Sequence, residues 1–245
     1  MRSRNYKFFI RKIHRYLGVF IGIQVFLWTV SGIFFSWTNI NEIRGDHLRK
    51  DIGKLKAIEG SISPADVRSK LLETSPETKI TSFRIVRVLD ENYFEVTHTN
   101  SENQKAISLF STTSGDKRDP VSRSEAEHIA TSALSNKTEV KETVYLEEKD
   151  LGSHHEYREK IVPAWAVTFD HPENLTVYVS AENGQVQSFR TRSWRVFDFL
   201  WMLHTMDFIG RDDFNNWVLR VFSALSLLMI ISGFLYFYMT FRKPW

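Results

Sequence analysis

Histidine carries most of the chemistry open to this chain. Its 245 residues include eight histidines and no cysteine. Thiol catalysis, Cys-ligated zinc, iron–sulfur clusters and disulfides are therefore excluded, and imidazole is left as the main ligand for a soft metal or a haem iron. His14 is followed by Gly18 and Gly22 at i+4 and i+8, a spacing that a helix gathers on one side. A flat glycine face beside an imidazole suits a porphyrin whose iron the imidazole ligates. The same Gly-x-x-x-Gly spacing also serves helix packing, and a histidine beside Arg11 and Arg15 could simply face lipid phosphates. His204 lies in the mostly apolar stretch WRVFDFLWMLHTMDFIG, residues 194–210. There Asp207, at i+3, could orient its imidazole as a carboxylate does behind a ligating histidine. The alternative is a helix that docks a soluble domain on the membrane, with His204 as a surface side chain. His154, His155, Glu156 and His171, near Glu147 and Glu148, have no spacing that fixes a metal geometry and read as a solvated loop. His98 and His128 read as structural. The chain has no nucleophile elbow, no His-Glu-x-x-His and no glycine-rich nucleotide loop. No catalysis is assigned to it alone, and any flavin or electron donor has to come from a partner.

The elements that must position these histidines follow from charge. No Asp, Glu, Lys or Arg occurs in the 26 residues from Tyr16 to Asn41, nor in the 21 from Val221 to Phe241. A crossing of the hydrocarbon core needs about 20 apolar residues, so both stretches read as transmembrane helices. The formal charge of +3 is a sum of unlike parts: residues 1–15 carry +6, residues 41–190 carry −5, and Arg242 and Lys243 add +2. By the positive-inside rule both termini are cytoplasmic and the middle is translocated, which in a bacterium means an inner-membrane protein with a periplasmic domain. The first span is too long for a cleaved leader and reads as a signal-anchor. The translocated part is acidic, which excludes nucleic acid as a partner.

The divisions are a basic N-terminus (1–15), a first span (16–41), two α+β units (42–120 and 121–192), an interfacial amphipathic helix (193–212), a second span (217–241) and a cytoplasmic tail (242–245). Each α+β unit reads as a helix followed by antiparallel strands. The first helix has Ser63 as N-cap and Pro64 in its first turn, and the second is capped by Ser122 or Ser124. Strand-like runs cover 80–89, 93–99 and 105–112 in the first unit and 138–148, 162–170 and 175–181 in the second, where Asn183-Gly184 signals a hairpin. The insertion at 151–160 reads as a surface loop.

These features resemble the PepSY-associated transmembrane proteins of bacteria. The resemblance rests on three passages in order: Arg11-Lys12-Ile13-His14-Arg15-Tyr16-Leu17-Gly18 with Ser31-Gly32 further along the same span; VPAWAVTFDHPENLTVYVSAENGQVQ, similar to the PepSY hairpin; and Leu203-His204-Thr205 leading into a last helix with Ser232-Gly233. It implies a tandem PepSY-like periplasmic domain and two functions of different class. One is an accessory or haem-linked electron-transfer subunit in envelope redox chemistry or iron acquisition, with haem b as cofactor. The other is a non-redox module that regulates or assembles an envelope protease or membrane complex. Longer relatives have four or more spans and some carry flavin domains, whereas this chain has two spans. About 23 residues of helix, roughly 34 Å, separate His14 from His204, so one haem cannot take both. A homodimer or a docked redox partner has to complete each site.

Overall fold

No proline interrupts the residues from Arg2 to Trp37, and they form one 36-residue helix, α1. The computed structural model describes residues 2–50, 60–99, 104–158 and 160–241; the stretch 242–245, expected to be a cytoplasmic tail, lies outside them. Helix α1 already starts in the basic tip, so residues 2–15 continue the span as helix. After the short turn α2 (Ile40–Ile43) come α3 (Pro64–Thr74), strands β1 (Ile80–Val88), β2 (Glu91–Thr99) and β3 (Lys105–Ser111), and α4 (Arg123–Ser132). Strands β4 (Val140–Leu146), β5 (Ala164–Phe169), β6 (Thr176–Ser180) and β7 (Val186–Arg190) follow, then α5 (Arg192–Thr205) and α6 (Trp217–Phe241). The chain divides into two compact units: a helical unit of Met1–Ile40 with Arg195–Trp245, and a sheet unit of Asn41–Trp194.

In the helical unit, Phe8–Trp37 and Trp217–Phe241 are long and apolar enough to cross a membrane, and only 17% and 6% of their most apolar windows are buried. Helices that expose Phe20, Ile23, Phe26, Leu227, Phe234 and Phe237 in this way are not the core helices of a soluble fold. Buried and half-buried residues recur along α1 at alternating intervals of four and three: Ile10, His14, Leu17, Ile21, Gln24, Trp28, Ser31 and Phe35. This is the seam of two nearly parallel helix axes packed side by side. His14 meets Ser232 and Phe20 meets Phe222. Residue numbers rise along α1 as they fall along α6, so the pair is antiparallel and its two outer ends are adjacent.

In the sheet unit, local capping fixes the helices. Ser63 and Asp66 close a capping box on α3, with Pro64 in the first turn, and Ser122 and Glu125 close another on α4; each is worth about 1 kcal/mol. Strands β1-β2-β3 form one antiparallel sheet and β4-β5-β6-β7 another, each in sequence order. The hairpin signalled by Asn183-Gly184 is completed by β7. Helix α3 covers the first sheet through Val67 and Leu71 against Phe94, Val96 and Phe110. A second core joins Val86, Val88 and Leu109 of the first sheet to Val167, Phe169, Val177, Val179 and Phe189 of the second, together with Ala126 and Ala130 of α4.

The described residues of the stretch at 151–160 form no helix or strand, and Gly152, Ser153 and His154 are exposed, as a surface loop requires, but one side chain pins the loop down. Strand β5 is apolar on both sides, and its second side, with Ala164, Ala166 and Tyr178, has to be covered. Tyr157 covers it: the ring is fully buried and stacked on Tyr178 at 4.5 Å, and its hydroxyl donates to the Ile161 carbonyl at 2.6 Å. Arg190 Nε donates to the Glu156 carbonyl at 2.9 Å and Tyr178 donates to Glu156 Oε1 at 2.7 Å, which ties the segment down at the residue before Tyr157. Polar composition and two adjacent histidines hid a single buried aromatic anchor.

Candidate functional site

The two histidines singled out by sequence are held by the same device. His14 Nδ1 lies 2.9 Å from Ser232 Oγ across the α1–α6 seam. His204, in the last turn of α5, places Nδ1 2.8 Å from Ser31 Oγ on α1. Each serine is the first residue of a Ser-Gly pair. Each hydroxyl also lies within reach of a carbonyl of its own helix, Ser232 of Met229 at 2.7 Å and Ser31 of Leu27 at 2.8 Å. A serine hydroxyl has one proton to donate. When that proton goes to the carbonyl, the imidazole donates Nδ1–H and the neutral ring keeps its lone pair on Nε2. A histidine that donates from one nitrogen while the other is free to ligate is oriented for a metal. Among the described residues neither Nε2 has a hydrogen-bond partner.

The surroundings differ. The His14 ring is stacked on Tyr236 at 6.4 Å, with the Arg11 guanidinium 6.0 Å from the centre of the same tyrosine ring. Gly233 gives the imidazole its room, since a Cβ there would come within 3.3 Å of His14 Cε1. His204 sits in an aromatic cage, 5.6 Å from Phe35 and 6.3 Å from Trp28 between ring centres. Burial pushes its imidazole below the ordinary histidine value, which favours the neutral, ligating form. The last-turn carbonyls of α5 have no partners within their own helix, and α1 supplies them. Trp28 Nε1 donates to the His204 carbonyl at 2.8 Å and Gln24 Nε2 to the Leu203 carbonyl at 3.0 Å. His204 is thus locked against α1 and is not a surface side chain.

Asp207 is not where the sequence spacing puts it. Helix α5 ends at Thr205, and Asp207 belongs to the following turn, where its carboxylate accepts backbone N–H bonds from Ile209 at 3.2 Å and from Gly210 and Asp213 at 3.0 Å. Burial alone would raise this carboxyl, but the surrounding backbone donors hold it below the ordinary value. Asp207 caps a turn, and Ser31 takes the orienting role that i+3 spacing gave to it. Gly18 and Gly22 have nothing within 4 Å of where a Cβ would stand. Neither glycine is therefore in a helix–helix contact within the chain, and both flank the seam on which His14 lies. The two imidazoles are also closer than helix counting implied. Because the end of α5 lies alongside α1, His204 is level with Ser31, 17 residues beyond His14. That is about 26 Å, still too far for one porphyrin.

Ser31 and Ser232 were visible only as members of a motif, and Gln24 had no assigned role. The signal that finds them is the presence of hydrogen-bonding side chains inside an otherwise apolar span, where each needs a partner. Among the described residues no group of three or more His, Asp or Glu could hold a metal ion, so the histidines at 154, 155 and 171 do not form such a centre.

The chain belongs to the PepSY-associated transmembrane family: the family model for the PepSY-associated TM region matches residues 1–240. With its two lipid-exposed apolar helices it is a membrane protein. No curated protein matches it. A crystal structure of a protein assigned as a lipoprotein in Clostridium difficile 630 aligns with 13% identity over 56% of this chain and 97% of that one, at a TM-score of 0.23. That similarity is too slight to inform fold or function.

Proposed function

We propose that this chain is an inner-membrane, haem-linked electron-transfer subunit, accessory to an envelope redox or iron-acquisition system. Both termini would be cytoplasmic, and the sheet unit a tandem PepSY-like domain in the periplasm. One observation carries the reading: His14 and His204 are each held through Nδ1 by the serine of a Ser-Gly pair on another helix, and among the described residues neither Nε2 has a hydrogen-bond partner, so both remain open to a ligand. A bound haem b would supply one-electron redox chemistry. The residues themselves do the rest: Ser232 and Ser31 fix the rings, and Tyr236 and Arg11 on one side and Phe35 and Trp28 on the other shield them. The unfilled space beside Gly18 and Gly22 leaves a flat helix face next to His14. Each centre offers one imidazole from this chain, so the opposite ligand comes from a second copy or a membrane redox partner.

The test is a reduced-minus-oxidised visible spectrum of the full chain purified after expression with ample haem. A b-type signal that falls in His14→Ala and in His204→Ala supports the reading. A colourless protein, or unchanged haem in both variants, refutes it. A regulatory or assembly role through the sheet unit is favoured by one feature: β4 is an edge strand with Val140, Val144 and Tyr145 exposed, a surface suited to strand addition by a partner. A colourless protein that co-purifies with a stoichiometric partner would favour that role.

A further inference from the structure

The turn between β6 and β7 crosses from the second sheet to the first. Asn183, fully buried, donates Nδ2 to Glu95 Oε2 at 3.0 Å. Gln185 donates Nε2 to the Arg87 carbonyl at 3.3 Å. Gly184 has φ +66° and packs so tightly that a Cβ would stand 2.7 Å from Val88 Cγ1. The receiving residue is unusual. Glu95, on β2, has a side chain only 1% exposed, and its Oε1 takes both Arg84 Nε and Nη2 at 2.7 Å. Next to Asn183 on the turn is Glu182, partly buried, and among the described residues no hydrogen bond or ion pair reaches its carboxyl.

We propose that the β6–β7 turn is a proton-operated latch between the two sheets, seated on Glu95 when the Glu182 carboxyl is protonated and loosened when it ionises. The geometry supplies the reason. Glu95 already holds a negative charge in a dry site, and its one cation is Arg84. A second carboxylate on the turn that caps Glu95 repels it through low-dielectric surroundings. The ionisable groups on the packed elements do not relieve this. Arg84 on β1 is bound to Glu95, and Arg87 on β1 to Asp90 at 2.7 Å. On the β4 side, Tyr145 is itself raised by burial and by the charges of Glu147 and Glu182, and Glu147 is paired with Lys149. His128 of α4 lines the groove on the far side of Gly184, with Lys50 and Asp90. Burial and the Glu95 charge push Glu182 up to about 7, so the latch would switch within the range an envelope protein meets.

The test is hydrogen–deuterium exchange of the full chain in lipid nanodiscs, corrected for intrinsic rates, on peptides covering 93–97 and 180–187. Protection in the wild type should fall about fivefold between roughly pH 5 and pH 8, after allowance for solvent screening of a half-exposed group. Glu182→Gln should hold the more protected level at both pH values. An equal pH dependence in wild type and Glu182→Gln overturns the proposal. A direct titration of the Glu182 carboxyl in the wild type decides the matter without any variant: a midpoint near 7 supports the latch, and an ordinary glutamate midpoint refutes it.

Discussion

The helical unit and the sheet unit bury polar groups by different rules. Along the seam of the helical unit the polar partners are closed pairwise. His14 meets Ser232 and His204 meets Ser31, while Gln24 and Trp28 reach the end carbonyls of α5. Its buried ion pair, Asp198 with Arg211, joins α5 to the loop before α6 and lies outside the two spans. Hydrocarbon offers no water to complete an unfinished bond, so every donor has to be closed by protein. The sheet unit holds Glu95 with Arg84 and, on the turn bonded to it through Asn183, carries Glu182 with no ion pair among the described residues. A domain bathed in water can retain a carboxyl that has lost part of its solvation, because the group can take a proton when its charge becomes too costly. Polar burial is closed by hydrogen bonds along the seam of one unit and, among the described residues, leaves an unpartnered carboxyl in the other.

The largest expected effect concerns the segment that sequence read as a loop. Tyr157→Ala should cost the sheet unit about 3–4 kcal/mol, the usual price of deleting a fully buried aromatic, whereas a surface-loop residue would cost less than about 0.5 kcal/mol. Denaturant unfolding followed by tryptophan fluorescence reads the difference. Next comes pH. Glu182 binds its proton more tightly folded than unfolded, because its pKa rises from 4.5 to about 7. Its contribution is therefore fully present below the unfolded value and is lost as pH rises through the folded one. After discounting for solvent screening, about 1 kcal/mol of stability should disappear between roughly pH 5 and pH 8. Glu182→Gln should flatten that part of the curve, whereas the helical unit should trend the other way, gaining stability as pH rises toward the ordinary histidine value, because burial lowers His204.

Smaller effects test the neutral pairs. Ser31→Ala and Ser232→Ala should each weaken helix association by only about 0.6 kcal/mol, while weakening any ligand held by the paired histidine about tenfold. Equal losses on both measures would make the serines merely structural. Ser226 is the exception to the pairing rule: its hydroxyl is buried in α6 with no partner. Ser226→Ala should be neutral or stabilising by up to about 1 kcal/mol, measured by resistance of the helical unit to denaturing detergent.

The spans, the helix caps and the Asn183-Gly184 hairpin could be read from the sequence because each depends on residues close together in the chain. The His–Ser pairs could not. Ser232 lies 218 positions from His14 and Ser31 lies 173 from His204, and only the antiparallel register of α1 and α6 and the course of α5 bring them together. Helical spacing gave the orienting role to Asp207, because i+3 presumes a helix that in fact ends at Thr205. The Glu95–Asn183 contact, 88 positions apart, depends on how two sheets stack, which periodicity does not encode.

The central claim is that His14 and His204 present free Nε2 lone pairs to a haem iron at two separate centres. The most direct measurement is the haem content and reduced-minus-oxidised spectrum of the wild type beside His14→Ala, His204→Ala and the double variant. The account predicts a b-type spectrum, about half lost in each single variant and wholly lost in the double. A protein without Soret absorbance under ample haem, or one whose haem survives the double variant, would contradict it.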